Sequence, residues 1–336
     1  MDTSARKTRH LDICLTEDVA SRLDAGWSGV RLRHEALPEF ALEDVETATT
    51  FLGHRFRAPL MISSMTGGTD RAGELNRRLA TTAQRFGIGF ALGSARAMVE
   101  TPELAGTFDV RSVAPDAFVI TNIGAVQLNY GVTPRQLGEL VKRNGANALY
   151  LHLNPLQEAI QRGGDTNFRG LLPKIAALCS ALDVPVLAKS VGSGVAASTA
   201  ARLLDAGVIA IDVAGAGGTS WALVEGRRAD DPARERIAEA FGDWGTSTAR
   251  AVADVRAALP SVPLIASGGI RTGVDCAKAL ALGANLCGLA LPFLQAAHES
   301  QAASDALAEE LLTTLRIAQF VTGSRTIAEL PTAIAG

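Results

Sequence analysis

His152-Leu153-Asn154-Pro155-Leu156-Gln157-Glu158 brings an imidazole, two amides and a carboxylate within seven positions. The block follows the apolar run Ala148 to Leu151, which reads as a buried strand, and Pro155 stops that strand from continuing. Such a wall can orient a polar ligand by hydrogen bonds. Glu158 adds a hard oxygen that, with the oxygens of a diphosphate, suits Mg²⁺. Taken singly, His152 fits a hydrogen-bonded core histidine better than a catalyst, and Glu158 fits a solvated carboxylate. A zinc site is not expected, because no other His or Cys stands at suitable spacing.

Other stretches repeat the pattern of a short apolar run closed by small or polar residues. Val184 to Ala188 ends at Lys189, a cation at the edge of an apolar interior. Such a lysine needs an anion, either Asp212 after the next strand or an electron-rich cofactor ring. Asp212 opens a glycine-rich turn that runs to Thr219, and Ser267-Gly268-Gly269-Ile270-Arg271 precedes a helix starting near Thr272. Glycines at a helix N-terminus leave backbone N–H groups open to a phosphate. The next run ends Gly288-Leu289-Ala290, again small, and two such ends in succession point to a phosphate-bearing cofactor. Ser94 and Arg96 offer a hydroxyl and a guanidinium suited to a second phosphate.

These groups converge only if the elements before them are arranged to make them. Eight apolar runs without polar alternation begin at Pro59, Gly87, Phe118, Ala148, Val184, Val208, Pro263 and Leu286. Helical patterns separate them; one, capped by Thr133 with Pro134 behind it, carries Leu137, Leu140 and Val141 on one face. Unalternated strands with helices between them predict a parallel sheet covered on both faces, and eight units predict a (β/α)₈ barrel. An open doubly wound sheet would need a GxGxxG after an early strand, and none stands there. Residues 1–336 read as one domain: an extension over 1–57, with a short helix from Thr16 to Leu23, then the barrel, with a polar loop insertion over 225–245 after the sixth strand.

A formal charge of -3 in 336 residues argues against a nucleic-acid or anionic-membrane surface, so an anionic ligand must be held by local groups. Cys14, Cys179, Cys276 and Cys287 show no CxxC spacing and read as reduced thiols. Asp2, Arg6, Lys7 and Arg9 in the first ten residues are unlike a secretory signal, and no apolar run is long enough to span a bilayer. A cytoplasmic location is expected.

Along almost its whole length the chain resembles the type 2, FMN-dependent isopentenyl-diphosphate isomerases. The resemblance rests on Arg6-Lys7 with His10, Met65 to Thr69, Gly93-Ser94-x-Arg96, Asn122-Ile123-Gly124, the His152–Glu158 block, Asp212 to Thr219 and Ser267 to Arg271 with Asp275 and Lys278. It implies FMN held by Met65, Thr66, Ser94, Asn122, Lys189 and Thr219, with the phosphate near Gly268, Gly269, Arg271, Ala290 and Leu291. It implies isopentenyl diphosphate held by Arg6, Lys7, Arg96, His152, Asn154 and Gln157, with Mg²⁺ on Glu158 and NADPH as the reductant of the flavin. Catalysis would use flavin N5 as the main acid and base, with Gln157 and His152 beside it. Arg6 and Lys7 would reach a neighbouring subunit's diphosphate in a homo-tetramer or homo-octamer. Ala95 and Ser190 depart from the Gln and Glu usual in that family, beside the proposed contacts and not within them. Two other readings share the barrel: an FMN-dependent 2-hydroxy-acid oxidase, which would need a histidine and an arginine where Gly-Gly-Thr-Ser-Trp stands, and a non-catalytic flavin- or phosphate-binding barrel.

Overall fold

A computed structural model describes residues 3–335. Asp2, one of the charges read at the N-terminus, lies outside them. A hairpin of β1 (Thr49–Phe51) and β2 (His54–Phe56) precedes eight strands: β3 (Leu60–Ile62), β4 (Gly89–Ser94), β5 (Val119–Gly124), β6 (Ala148–His152), β7 (Val186–Lys189), β8 (Ala210–Asp212), β9 (Leu264–Ser267) and β10 (Leu286–Leu289). The eight close into a parallel barrel in chain order, with β10 pairing β3. The expected (β/α)₈ fold is what forms.

Side chains alternate across a strand, so every second residue points into the barrel. Met61, Ala91, Ile120, Ala148, Tyr150, Leu187, Ala210, Ile265 and Leu286 fill the interior, and Phe51 and Phe56 of the hairpin pack with them. A much larger apolar layer lies between the strands and the helices outside. This accounts for the unalternated sequence, since both faces of each strand are buried. Stepping two residues on from Ala148 and Tyr150 leads to His152, from Leu187 to Lys189, and from Ala210 to Asp212. Register places Gly124 beside His152, His152 beside Lys189, and Lys189 beside Asp212. The polar residues that end successive strands therefore form one layer at the mouth.

Local chemistry fixes the helices that follow. Thr69 caps helix Asp70–Phe86 by accepting from Ala72 N, and Gly87 closes it at φ 61°. Thr133 and Gln136 form a capping box with Pro134 at the helix start. Thr272 and Asp275 do the same for helix Gly273–Ala281, directly after the Gly268-Gly269 turn.

Two features of the sequence reading are corrected. The helix expected from Thr16 to Leu23 does not form; the N-terminal helix is Thr3–Thr16. Beyond it, Asp18 Oδ1 accepts from Ala20 N, Ser21 Oγ accepts from Leu23 N, and Ser21 N donates to Gly218 O. These short side-chain and loop bonds outcompete a helical ladder. The stretch 225–245 is not a loop but chiefly helical, in Trp221–Arg228 and Pro232–Glu239. Ser220 caps the first helix, and Asp231 with Pro232 starts the second. Among the described residues, no helix is long and apolar enough to cross a membrane.

Candidate active site

A cavity of about 1240 Å³, part of it open to solvent, occupies the C-terminal mouth of the barrel. At one end are Arg6 and Lys7 from the N-terminal helix and Arg96 from the start of helix Arg96–Glu100. His152, Asn154, Gln157 and Glu158 form one wall, and Met65, Thr66, Ser94, Asn122, Lys189, Thr219, Ala290 and Leu291 line the rest. A second cavity shares Lys189, Thr219, Ala290 and Leu291 and extends to Gly268, Gly269 and Arg271. Every residue expected to touch FMN, substrate or Mg²⁺ thus borders these two connected cavities, whereas Asp212, Asp275 and Lys278 line neither. Arg6 and Lys7, on the N-terminal helix, line this chain's own cleft.

The glycine end is a backbone cradle. Gly268 and Gly269 adopt φ of 103° and 72°, and a Cβ on either would lie 2.2 Å from Gly215 O or 2.5 Å from Gly217 O. Ser63 Oγ and Ser64 Oγ beside it are buried with no protein partner. Open hydroxyls, approachable backbone and the Arg271 guanidinium suit a phosphate monoester, so the cleft fits the phosphate end of FMN. Gly93 N donates to Thr66 O at 3.1 Å, which fixes the Met65-Thr66 segment against β4.

At the opposite end, three cations crowd together. Burial, with Arg6 and Arg96 nearby, pushes the Lys7 ammonium down to about 7. Lys7 Nζ donates to Ser94 O at 2.5 Å, and Arg96 is held by Glu100 at 2.6 Å and by Asp165. Desolvating cations beside one another is costly without an anion, so this end is built for one.

On the wall between, burial and the charges of Lys189 and Lys7 hold His152 down to about 3, so its imidazole is neutral. Its Nδ1 lies 2.9 Å from Asn122 Oδ1, which accepts the ring proton and leaves Nε2 with its lone pair. Asn154 Nδ2 donates to Glu158 Oε1 at 2.8 Å, and Asp165 N donates to Glu158 Oε2 at 2.7 Å. Burial raises the Glu158 carboxyl, and these donors partly offset it. Asn154 Oδ1 is buried without a partner. That oxygen and the Glu158 carboxylate form a hard donor pair that fits Mg²⁺ once a ligand adds its own oxygens. Among the described residues, no group of three or more His, Cys, Asp or Glu could hold a metal.

Sequence reasoning missed Glu225 and Trp221. Glu225 is fully buried; its Oε1 accepts from Gln157 Nε2 at 3.1 Å and its Oε2 from Arg228 Nε at 2.7 Å, with His10 Nε2 3.1 Å from Oε1. Burial alone would raise this carboxyl, but His10, Arg228 and Gln157 hold it down to about 2. Gln161, with its amide oxygen toward Arg6, accepts from Arg6 Nη1 and donates to Glu225 Oε1, each at 3.1 Å. Trp221 lines both cavities and meets the His10 ring edge-on at 5.2 Å. The signal for both was the Ser220 cap, which starts a helix that Gly-Gly-Thr-Ser-Trp does not announce by periodicity. Of the two family departures, Ala95 is fully buried and donates to Asn122 O at 2.7 Å, while Ser190 is 5% exposed and donates its backbone N–H to Asp212 O at 3.3 Å.

Comparison with known proteins shows the family. Residues 121–335 match the family described as FMN-dependent dehydrogenase. An isopentenyl-diphosphate delta-isomerase of Synechococcus sp. is 55% identical over 95% of this chain and 92% of its own length. The chain belongs to the type 2 isopentenyl-diphosphate delta-isomerases. Isomerases of that name from Nostoc sp. and Stutzerimonas stutzeri are each 50% identical, over 98% and 97% of this chain and 94% and 95% of their own. Among solved structures, a lactate oxidase of Pediococcus acidilactici superposes with TM-score 0.66 at 17% identity, covering 96% of this chain and 85% of its own. A mandelate oxidase variant gives 0.63 at 18%, covering 98% and 90%. At that identity the oxidases show the barrel alone, whereas the isomerases match in sequence over nearly the whole chain.

Proposed function

We propose that this isomerase interconverts isopentenyl and dimethylallyl diphosphate by a 1,3-proton shift, with FMN, Mg²⁺ and NADPH as reductant, and with the site residues in the roles below. The observation that carries the proposal is one cleft with two anion-binding ends: a glycine cradle for a phosphate monoester and a separate cluster of Arg6, Lys7 and Arg96 for a diphosphate. A 2-hydroxy acid would need neither the second cluster nor the Asn154–Glu158 oxygens.

Arg6, Lys7 and Arg96 bind the diphosphate, and Asn154 and Glu158 hold Mg²⁺ against it. Neutral His152 accepts or donates at Nε2 without adding charge beside the alkene. Gln157 lines the cleft where it would face the reacting carbons, and its Nε2 is fixed by Glu225, which is an acceptor at neutral pH and no proton source. Trp221 and residues of the helix Thr3–Thr16 line the cleft and would limit the access of water, which would otherwise capture a cationic centre. Reduced FMN, when bound, supplies an electron-rich ring and an exchangeable proton next to the substrate. The shift has no net redox change, so NADPH only prepares the flavin. Lys189, with the Met65-Thr66, Ser94, Asn122 and Thr219 contacts, would fix the ring. A homo-oligomeric, cytoplasmic protein belongs to the same proposal on the strength of the family resemblance.

The test is product formation from isopentenyl diphosphate with FMN, Mg²⁺ and NADPH, run beside tubes lacking FMN or Mg²⁺. Dimethylallyl diphosphate is expected only in the complete tube. A protein that binds and reduces FMN yet makes none would sink the isomerase assignment and send the search to 2-hydroxy acids.

A further inference from the structure

Asp212 ends β8 with no solvent exposure, and no step above uses it. Its Oδ1 accepts from Ser267 Oγ at 2.6 Å and from Ala214 N at 3.2 Å, and its Oδ2 accepts from Tyr150 OH at 3.2 Å. Burial raises this carboxyl, and Lys189 with the three donors that converge on it opposes that, so the hydrogen-bond geometry is that of an acceptor. Its register partner is Lys189, so both side chains point to the same side of the barrel wall. They are nevertheless hydrogen-bonded elsewhere: Lys189 Nζ donates to Ser190 O at 2.8 Å and lines both cavities. The simple ion pair, one of the two readings of Lys189 from sequence, is replaced by two separately hydrogen-bonded groups in one layer.

We infer that Asp212 is a positioning residue: it keeps the Lys189 ammonium charged and free to face the cleft, without itself touching the ligand. The cradle of Ser267, Tyr150 and Ala214 matters because it satisfies the carboxylate without drawing in the lysine. Lys189 therefore keeps donors for an incoming electron-rich group while retaining a counter-charge in its absence. The titratable groups beside it are His152 from β6, which is neutral, and Asp212 from β8; Lys7 from the N-terminal helix, whose charge also bears on His152, lines the same cleft. Tyr150, one layer deeper, is held neutral by burial and by Asp212. Asp212 is thus the one anion among these neighbours. Burial lowers Lys189 and Asp212 opposes that, in the same direction as the geometry. The inference deepens the FMN assignment, since a charged lysine beside the ring would favour its anionic reduced form.

Two readouts test it. The first is the pH midpoint for competitive acetylation of Lys189 in the full chain without added FMN, followed by mass spectrometry. In Asp212→Asn the midpoint is expected to fall by about one pH unit or more. An unchanged midpoint overturns the inference. Asp212→Ser provides the same test if the asparagine variant does not fold. The second is the midpoint potential of bound FMN from pH 6 to 9. Asp212→Asn should add an inflection that is missing from Lys189→Met and from the double variant. Superimposable wild-type and Asp212→Asn curves would also overturn it. A chain that binds no FMN would instead defeat the cofactor assignment, and the acetylation midpoint would still decide the role of Asp212.

Discussion

Gln157 and Glu225 lie 68 residues apart in the chain and meet at 3.1 Å across the barrel mouth. The contact joins the polar block after β6 to the helix Trp221–Arg228 after β8. It fixes the amide that the proposed chemistry places over the substrate, and it ties that amide to a carboxylate held by His10 and Arg228.

Gln157→Asn shortens the side chain and breaks this contact while keeping the functional group. The expected result is a fall in kcat of about 10²-fold with KM little changed, because the amide positions rather than anchors. Full turnover would rule out an essential role for it.

Glu225 governs an acid transition. Its carboxyl, normally near 4.5, is held at about 2 in the fold. A depressed carboxyl contributes stability that is fully present above its unfolded value and is lost as pH falls through the folded one. Thermal melts of the wild type should therefore lose Tm between about pH 4.5 and 2 more steeply than those of Glu225→Gln. The variant should also lose kcat, since Gln157 no longer donates to a charged acceptor.

Lys7 trades stability for binding. Its ammonium is lowered from 10.5 to about 7, so between these values the unfolded chain binds more protons and stability rises with pH. Lys7→Met should raise the Tm of the ligand-free protein below pH 7 and weaken isopentenyl diphosphate binding. Binding to the wild type at pH 8 should take up close to a proton, seen by calorimetry in two buffers of different ionisation enthalpy. No uptake would mean that Lys7 does not face the anion.

Gly268→Ala puts a Cβ 2.2 Å from Gly215 O at a φ of 103°. Strain and closure of the cradle act together, so the variant is expected to lose about 1–3 kcal/mol of stability. FMN retention should drop with it, measured by fluorescence of released flavin. Normal retention would move the phosphate away from this turn.

Asn154→Ala removes the unpartnered oxygen and one donor to Glu158. The Mg²⁺ concentration for half-maximal activity should rise about tenfold or more. An unchanged Mg²⁺ dependence would separate this pair from the metal.

The barrel was legible in the chain because eight unalternated apolar runs separated by helical patterns leave few other ways to bury both faces of every strand. Lys189, His152 and the Gly268-Gly269 turn stood out for the same reason, as polar or small residues where an apolar run stops. The sequence thus determined which residues sit at strand ends. It did not determine which of them face one another, since that depends on register and barrel closure: His152, Lys189 and Asp212 share a layer only because β6, β7 and β8 align there. Nor could it show that residues 225–245 fold back as helices to bring Glu225 under Gln157, or that the first helix lays Arg6 and Lys7 over the chain's own cleft. These placements are set by tertiary packing and by the burial of charge, which no local pattern of residues encodes.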